Sequence, residues 1–297
     1  MKNFLIGQHG EFDQSKQNRD FRQGFFGVEA CLLKSEEDIK RLQSEALEHK
    51  FQIAVHFPLR AGRSKLRDAL FMSLDKDIRE GAFLLIEEEL KYLRQINPKY
   101  VLFHYPKPVV LDDTVDWSHW RFADSSEYIY QSSYSYDEFK EKSEYLFDWL
   151  TNKSEEYNFT PVLEFDALNK YIYKTTLLEE LLARYPKLKL CLDTGRLHTQ
   201  SKLDSNFDVE DIIRRFAKYT EVVHLSNNRV TDKVEYNHYP VLPKLNPKDG
   251  WASIDRYLQI IHEENKNCLF LFEHRSDLIT DDELNECYEW VESLVSK

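Results

Sequence analysis

The feature that most constrains this chain is a series of eight short apolar runs separated by amphipathic segments. The runs are NFLIG (3–7), FFGVEACL (25–32), QIAVHF (52–57), YVLFHY (100–105), TPVLEFD (160–166), KLCLD (189–193), EVVHL (221–225) and CLFLFE (268–273). Most are nearly continuous in apolar character rather than alternating, the pattern of parallel strands covered on both faces. After Ser35, "EEDIKRLQSEALEHK" places Ile39, Leu42, Ala46 and Leu47 on one stripe of an expected helix. Similar stripes occur near 78–95, 138–151, 208–219 and 252–262, while the mostly polar gap after the first run has room for only a short helix. Ser35 with Asp38, Thr176 with Glu179 and Thr280 with Glu283 have the spacing of N-terminal capping boxes. Eight strands alternating with helices over 1–297 predict an α/β fold, a single (β/α)8 TIM barrel, rather than a doubly wound sheet. "GQHGEF" at 7–12 has neither Rossmann nor P-loop spacing, so no nucleotide cofactor is expected.

The ends of the runs carry the chemistry. IAV stops at His56, VLF at His104, PVL at Glu164, LCL at Asp193, VV at His224 and LFLF at Glu273. In a barrel these positions line the C-terminal face, where several strands together place catalytic groups. Carboxylates and imidazoles gathered there repel or lack solvation unless something balances them, and a divalent cation does so. A lone histidine after a strand is more often structural than a ligand. Six residues of the right types at equivalent points favour a metal centre, with zinc or manganese first and iron or cobalt as alternatives.

Charge and cysteine content narrow the setting. The formal net charge of −12 counts against broad, sequence-independent wrapping of nucleic acid, though not against a local basic cleft. Cys31, Cys191, Cys268 and Cys287 form no CxxC pair and three lie in or beside apolar segments, so buried free thiols are expected. The N-terminal MKNFLIGQHG is too short in apolar character for a signal peptide and no run reaches membrane-spanning length; a cytoplasmic protein without membrane contact is expected.

From FLIGQHG to LFLFEHR the chain resembles the xylose isomerase-like TIM barrels, which include endonuclease IV-type AP endonucleases of family 2 and many sugar isomerases and epimerases. In the nucleases the residues matching His56, His104 and Glu164 form one metal position. Those matching Glu164, Asp193, His224 and Glu273 form a second, with Glu164 bridging. In the epimerases the latter four form a complete one-metal site, and the resemblance implies that Glu164 and Glu273 act there as the catalytic acid/base pair. The chain departs from the nuclease pattern where D-x-x-H is replaced by Asp193-Thr194-Gly195-Arg196, since arginine remains protonated and cannot ligate. His198 has the wrong spacing to replace it, and "VEYNHYPVLP" offers Glu235, Asn237 and His238 without a clean D-x-H match.

The loops suggest the substrate. Arg60, Arg63, Lys65, Arg67, Lys107, Arg121, Arg196, Arg229 and Arg275 follow strand ends or lie in long loops, a local positive excess suited to a small anionic or polyhydroxylated substrate. The contrary reading is that several pair with the abundant carboxylates. A long loop at about 106–137 carries Trp117, Trp120 and several tyrosines, as a binding wall, a lid or an interface between copies in a homo-oligomer; another at 226–250 carries His238. Arg60, Arg196, His238 and Trp117 are the candidate substrate-binding residues. The sequence favours a metal-dependent sugar or sugar-phosphate isomerase or epimerase, passing a proton through a metal-stabilised enediolate. The alternative is an endonuclease IV-like phosphodiesterase acting on nucleic acid with two or three metals.

Overall fold

All eight apolar runs form strands of one closed barrel in the computed structural model, which describes residues 1–296. They are β1 (Phe4–His9), β2 (Gly27–Cys31), β3 (Gln52–His56), β4 (Tyr100–Tyr105), β5 (Thr160–Phe165), β6 (Lys189–Asp193), β7 (Thr220–Leu225) and β8 (Leu269–Phe272). Each neighbours the next in chain order, and β8 closes onto β1 in parallel. A parallel pair requires a crossover, which is why helices fill most of the gaps. Their apolar stripes cover the sheet's outer surface, so the strands carry apolar side chains on both faces.

The helices follow the periodicity with two corrections. Glu36–His49 buries Ile39 and Leu42, but Leu47 is 83% exposed, because one residue beyond Ala46 turns about 100° away from the stripe. Thr280 and Glu283 form a reciprocal capping box, and the Ser35 side chain accepts from the Asp38 backbone. Thr176 makes no such cap; its hydroxyl donates to Glu180 at 2.7 Å, while Thr175 receives the Leu177 N–H. Between the first two strands lies the expected short helix, Gln14–Asp20.

The chain forms two compact units. One comprises Met1–Gly7, Asp13–Val28 and the chain from Cys191 onward; the other comprises Gln8–Phe12 and Glu29–Leu190. In the latter, β4 and β5 pair so that His104 stands opposite Glu164. In the former, β7 and β8 pair so that His224 stands opposite Leu271, two residues before Glu273. The loop at 106–137 contains a parallel ladder of Val109–Leu111 with Tyr128–Tyr130, and that at 226–250 an antiparallel one of Asn227–Val230 with Val234–Tyr239. All four cysteines are buried and free. Among the described residues no helix is long and apolar enough to cross a membrane.

Candidate metal centre

In the Glu29–Leu190 unit, β3, β4 and β5 end in a buried trio. His56, His104 and Glu164 each offer a ligand atom within 4.8 Å of the others. The local hydrogen bonds prepare both rings. His56 Nδ1 donates to the Phe57 carbonyl at 3.2 Å, which leaves Nε2 facing Glu164 Oε2 at 3.2 Å. His104 Nδ1 faces Asp68 Oδ2 at 2.9 Å and its Nε2 faces Glu164 Oε2, also at 2.9 Å. With Nδ1 engaged by an oxygen, each ring turns Nε2 toward Glu164, the nitrogen that a metal would take. Burial disfavours charge on His56, but its contacts with Cys31 and Glu164 outweigh this and hold its pKa well above the ordinary value.

An ionic network surrounds His104. Lys107 Nζ lies 2.9 Å from Asp68 Oδ2 and 2.8 Å from Asp166 Oδ2. Burial alone pushes the Asp68 carboxyl up, yet His104, Arg67 and Lys107 together hold it well below the usual carboxylate range. Burial likewise favours neutral Lys107, but Asp166 and Asp68 raise its pKa. Neither Asp68 nor Asp166 was among the sequence candidates. Asp166 had a signal, since it stands two residues after Glu164 and strand side chains alternate with period two. Asp68 is a loop residue with no periodic signature.

In the unit that holds β6, β7 and β8, three further potential ligands meet. His224 is fully buried and its Nδ1 lies 3.0 Å from Glu273 Oε2, whereas Glu273 is 33% exposed. Asp193 ends β6 and caps the next helix, its Oδ1 accepting from Gly195 N at 2.8 Å and Arg196 N at 3.0 Å. Capping one oxygen fixes the carboxylate and directs Oδ2 elsewhere. Ligand atoms of Asp193, His224 and Glu273 all lie within 4.8 Å of one another. Mixed carboxylate and imidazole donors converging in buried surroundings can chelate a divalent metal, as the strand-end pattern predicted.

The candidate substrate residues meet different fates. Arg60 is buried, with Nε 2.9 Å from Glu89 Oε2 and its guanidinium 3.8 Å over the Tyr92 ring, so its charge is engaged internally. Trp117 is also buried and its Nε1 donates to the Asp112 carbonyl at 3.0 Å. Arg196 remains 26% exposed beside Asp193, its Nε 3.5 Å from Oδ2. His238 adopts a left-handed φ of 51° and places Nδ1 3.3 Å from the Glu273 carbonyl oxygen. Elsewhere the contrary reading of the cationic residues holds: Lys65 pairs with Asp124, Arg67 with Asp68, Arg229 with Glu235 and Arg275 with Asp277. His198 bonds the Gly250 carbonyl at 2.9 Å, and burial lowers its pKa to about 4. Among the described residues, no potential metal group includes His198 or His238.

No protein-family model matches the chain, and no curated protein matches it in sequence. Solved structures do match along its whole length. A D-tagatose 3-epimerase-like protein aligns at 14% identity with a TM-score of 0.64, covering 98% of each chain. The TTHB071 protein from Thermus thermophilus, soaked with zinc chloride, aligns at 14% identity and a TM-score of 0.62, covering 99% of this chain and 98% of the other. A xylose isomerase domain containing protein from Salmonella typhimurium aligns at 12% identity and a TM-score of 0.56, over 100% of this chain and 98% of its own. At such identities the likeness speaks for the fold, and the strand order, the closed sheet and these alignments together give this chain the (β/α)8 TIM-barrel fold that those proteins share.

Proposed function

We propose that the protein is a metal-dependent sugar or sugar-phosphate isomerase or epimerase. The observation that carries this reading is the convergence of Asp193, His224 and Glu273 within 4.8 Å, with Glu273 the exposed member; Glu164 is the fourth ligand that the strand-end pattern of the sequence offers. A bound divalent cation supplies Lewis-acid polarisation of neighbouring carbonyl and hydroxyl oxygens. Glu164 and Glu273 then exchange a proton at the substrate carbon, one as base and the other as acid. His56 and His104 hold Glu164 through their Nε2 atoms, so that its free oxygen keeps a fixed direction. Arg196, beside Asp193 and partly open to solvent, binds an anionic or hydroxyl-bearing tail, and His238 orients the substrate next to Glu273. The epimerase-like neighbour in fold supports the same chemistry.

A second reading, a two-metal phosphodiesterase, is favoured by one observation, the separate convergence of His56, His104 and Glu164. Incubating the metal-loaded protein with ketoses, polyols and sugar phosphates in heavy water separates the two. Deuterium wash-in at one carbon, followed by NMR, is expected. No exchange with any of them, together with cleavage of a duplex containing an abasic site, would overturn the isomerase reading.

A further inference from the structure

We propose that Lys107 is a built-in cation: its ammonium fills a latent metal pocket and so keeps His104 directed at Glu164. Asp68, His104 and Asp166 form a potential metal group of their own, with ligand atoms within 4.8 Å of one another. The Lys107 ammonium occupies it, in contact with Asp68 and Asp166 and 3.8 Å from Glu127 Oε1, and its side chain is only 4% exposed. Like charges a few ångströms apart in a buried site repel strongly, so an ammonium there excludes a divalent ion.

The carboxylates do not depend on Lys107 for their placement. Asp166 Oδ1 accepts from Trp120 Nε1 at 3.1 Å and from Ala167 N at 3.0 Å, and Asp68 Oδ1 accepts from Arg67 Nε at 3.1 Å. The pocket is therefore preformed; without the ammonium it presents the two Oδ2 atoms and the His104 ring, beside which an Arg67 guanidinium nitrogen lies 2.8 Å from Nδ1. Such an ion would take Asp68 Oδ2 and His104 Nδ1, which now lie 2.9 Å apart and hold the ring in place. Lys107 is thus a positioning residue: it reserves Asp68 for the ring and the ring's Nε2 for Glu164. This inference rests on the isomerase reading only in taking Glu164 as a group that His104 serves.

The test compares zinc content per chain in the full-length protein, Lys107→Met, and Lys107→Met with Asp68→Asn, after equilibration with zinc chloride and desalting. Lys107→Met is expected to hold one ion more than the native protein, and the double variant to lose it. The melting temperature of Lys107→Met should fall in chelator and recover on adding zinc by more than that of the native protein. A folded Lys107→Met with native zinc content would overturn the proposal. If Lys107→Met fails to fold, Asp68→Asn alone decides: unchanged zinc content supports the proposal, whereas loss of an ion makes Asp68 a native ligand and refutes it. Native protein that binds no zinc, alongside a Lys107→Met that gains one ion, would defeat the four-ligand reading and leave this one standing.

Discussion

The ends of β3, β4 and β5 and the ends of β6, β7 and β8 carry similar residue types but differ in how they are wired. In the first region His104 stands between two carboxylates, Asp68 and Glu164, and Lys107 bridges Asp68 to Asp166. In the second, backbone N–H groups hold Asp193, His224 Nδ1 faces the Glu273 carboxylate, and Glu273 is partly open to solvent. Charge balanced from within rigidifies a site, since each partner fixes the next. A carboxylate with solvent access can instead release one partner and take another, as an acid/base group must during turnover. The first region is tied from within, and the second leaves one carboxylate open to solvent.

Three substitutions and a pH series probe that contrast. Glu164→Gln, which removes the group both histidines address, should lower turnover by roughly 10²–10⁴-fold and reduce bound metal. Kinetics and elemental analysis check this, and native values for both would defeat the proposed mechanism. Arg60→Met should cost about 3 kcal/mol of stability by leaving buried Glu89 without its guanidinium, while metal content stays native. Urea unfolding measures it; a stable variant with a weakened substrate affinity would instead return Arg60 to the binding site.

The pH response should come chiefly from the second region. His198 has a folded pKa lowered to about 4 from the ordinary 6.5, so the unfolded chain binds more protons between those values. Stability should therefore fall as pH drops from 6.5 to about 4, by up to about 3 kcal/mol from this group, with buried His274, lowered to about 3, adding to the fall, and His198→Gln should remove its own part of that slope. Asp68 acts in the same direction but at lower pH, its share being lost only as pH falls from the ordinary 3.8 through a folded pKa well below it. Melting curves at a series of pH values distinguish the two. The smallest effect is expected from Arg196→Ala, which should raise KM about tenfold, or ~1.4 kcal/mol, with kcat and metal content little changed.

Much of this is legible in the chain itself. Periodicity alone places all eight strands, and the polar residue closing six of the runs marks side chains that could hold a metal. What the pattern does not show is which cations are already committed. Arg60 and Arg196 look alike in the chain, yet one is clamped by Glu89 and Tyr92 while the other borders Asp193 and solvent. Trp117 likewise reads as a binding-wall residue but turns inward to the Asp112 carbonyl.

The alternation of strands and helices and the residue types at the strand ends are therefore properties of the sequence, because both are set by local hydrophobic period and by the chain's own order. The partners are properties of the folded molecule: Asp68, from a loop, orients His104; Lys107 lies between two carboxylates; His198 is spent on a carbonyl. These are contacts between residues far apart in the chain, made by irregular loops whose course no short-range pattern encodes, and burial then gives each of them its energetic weight.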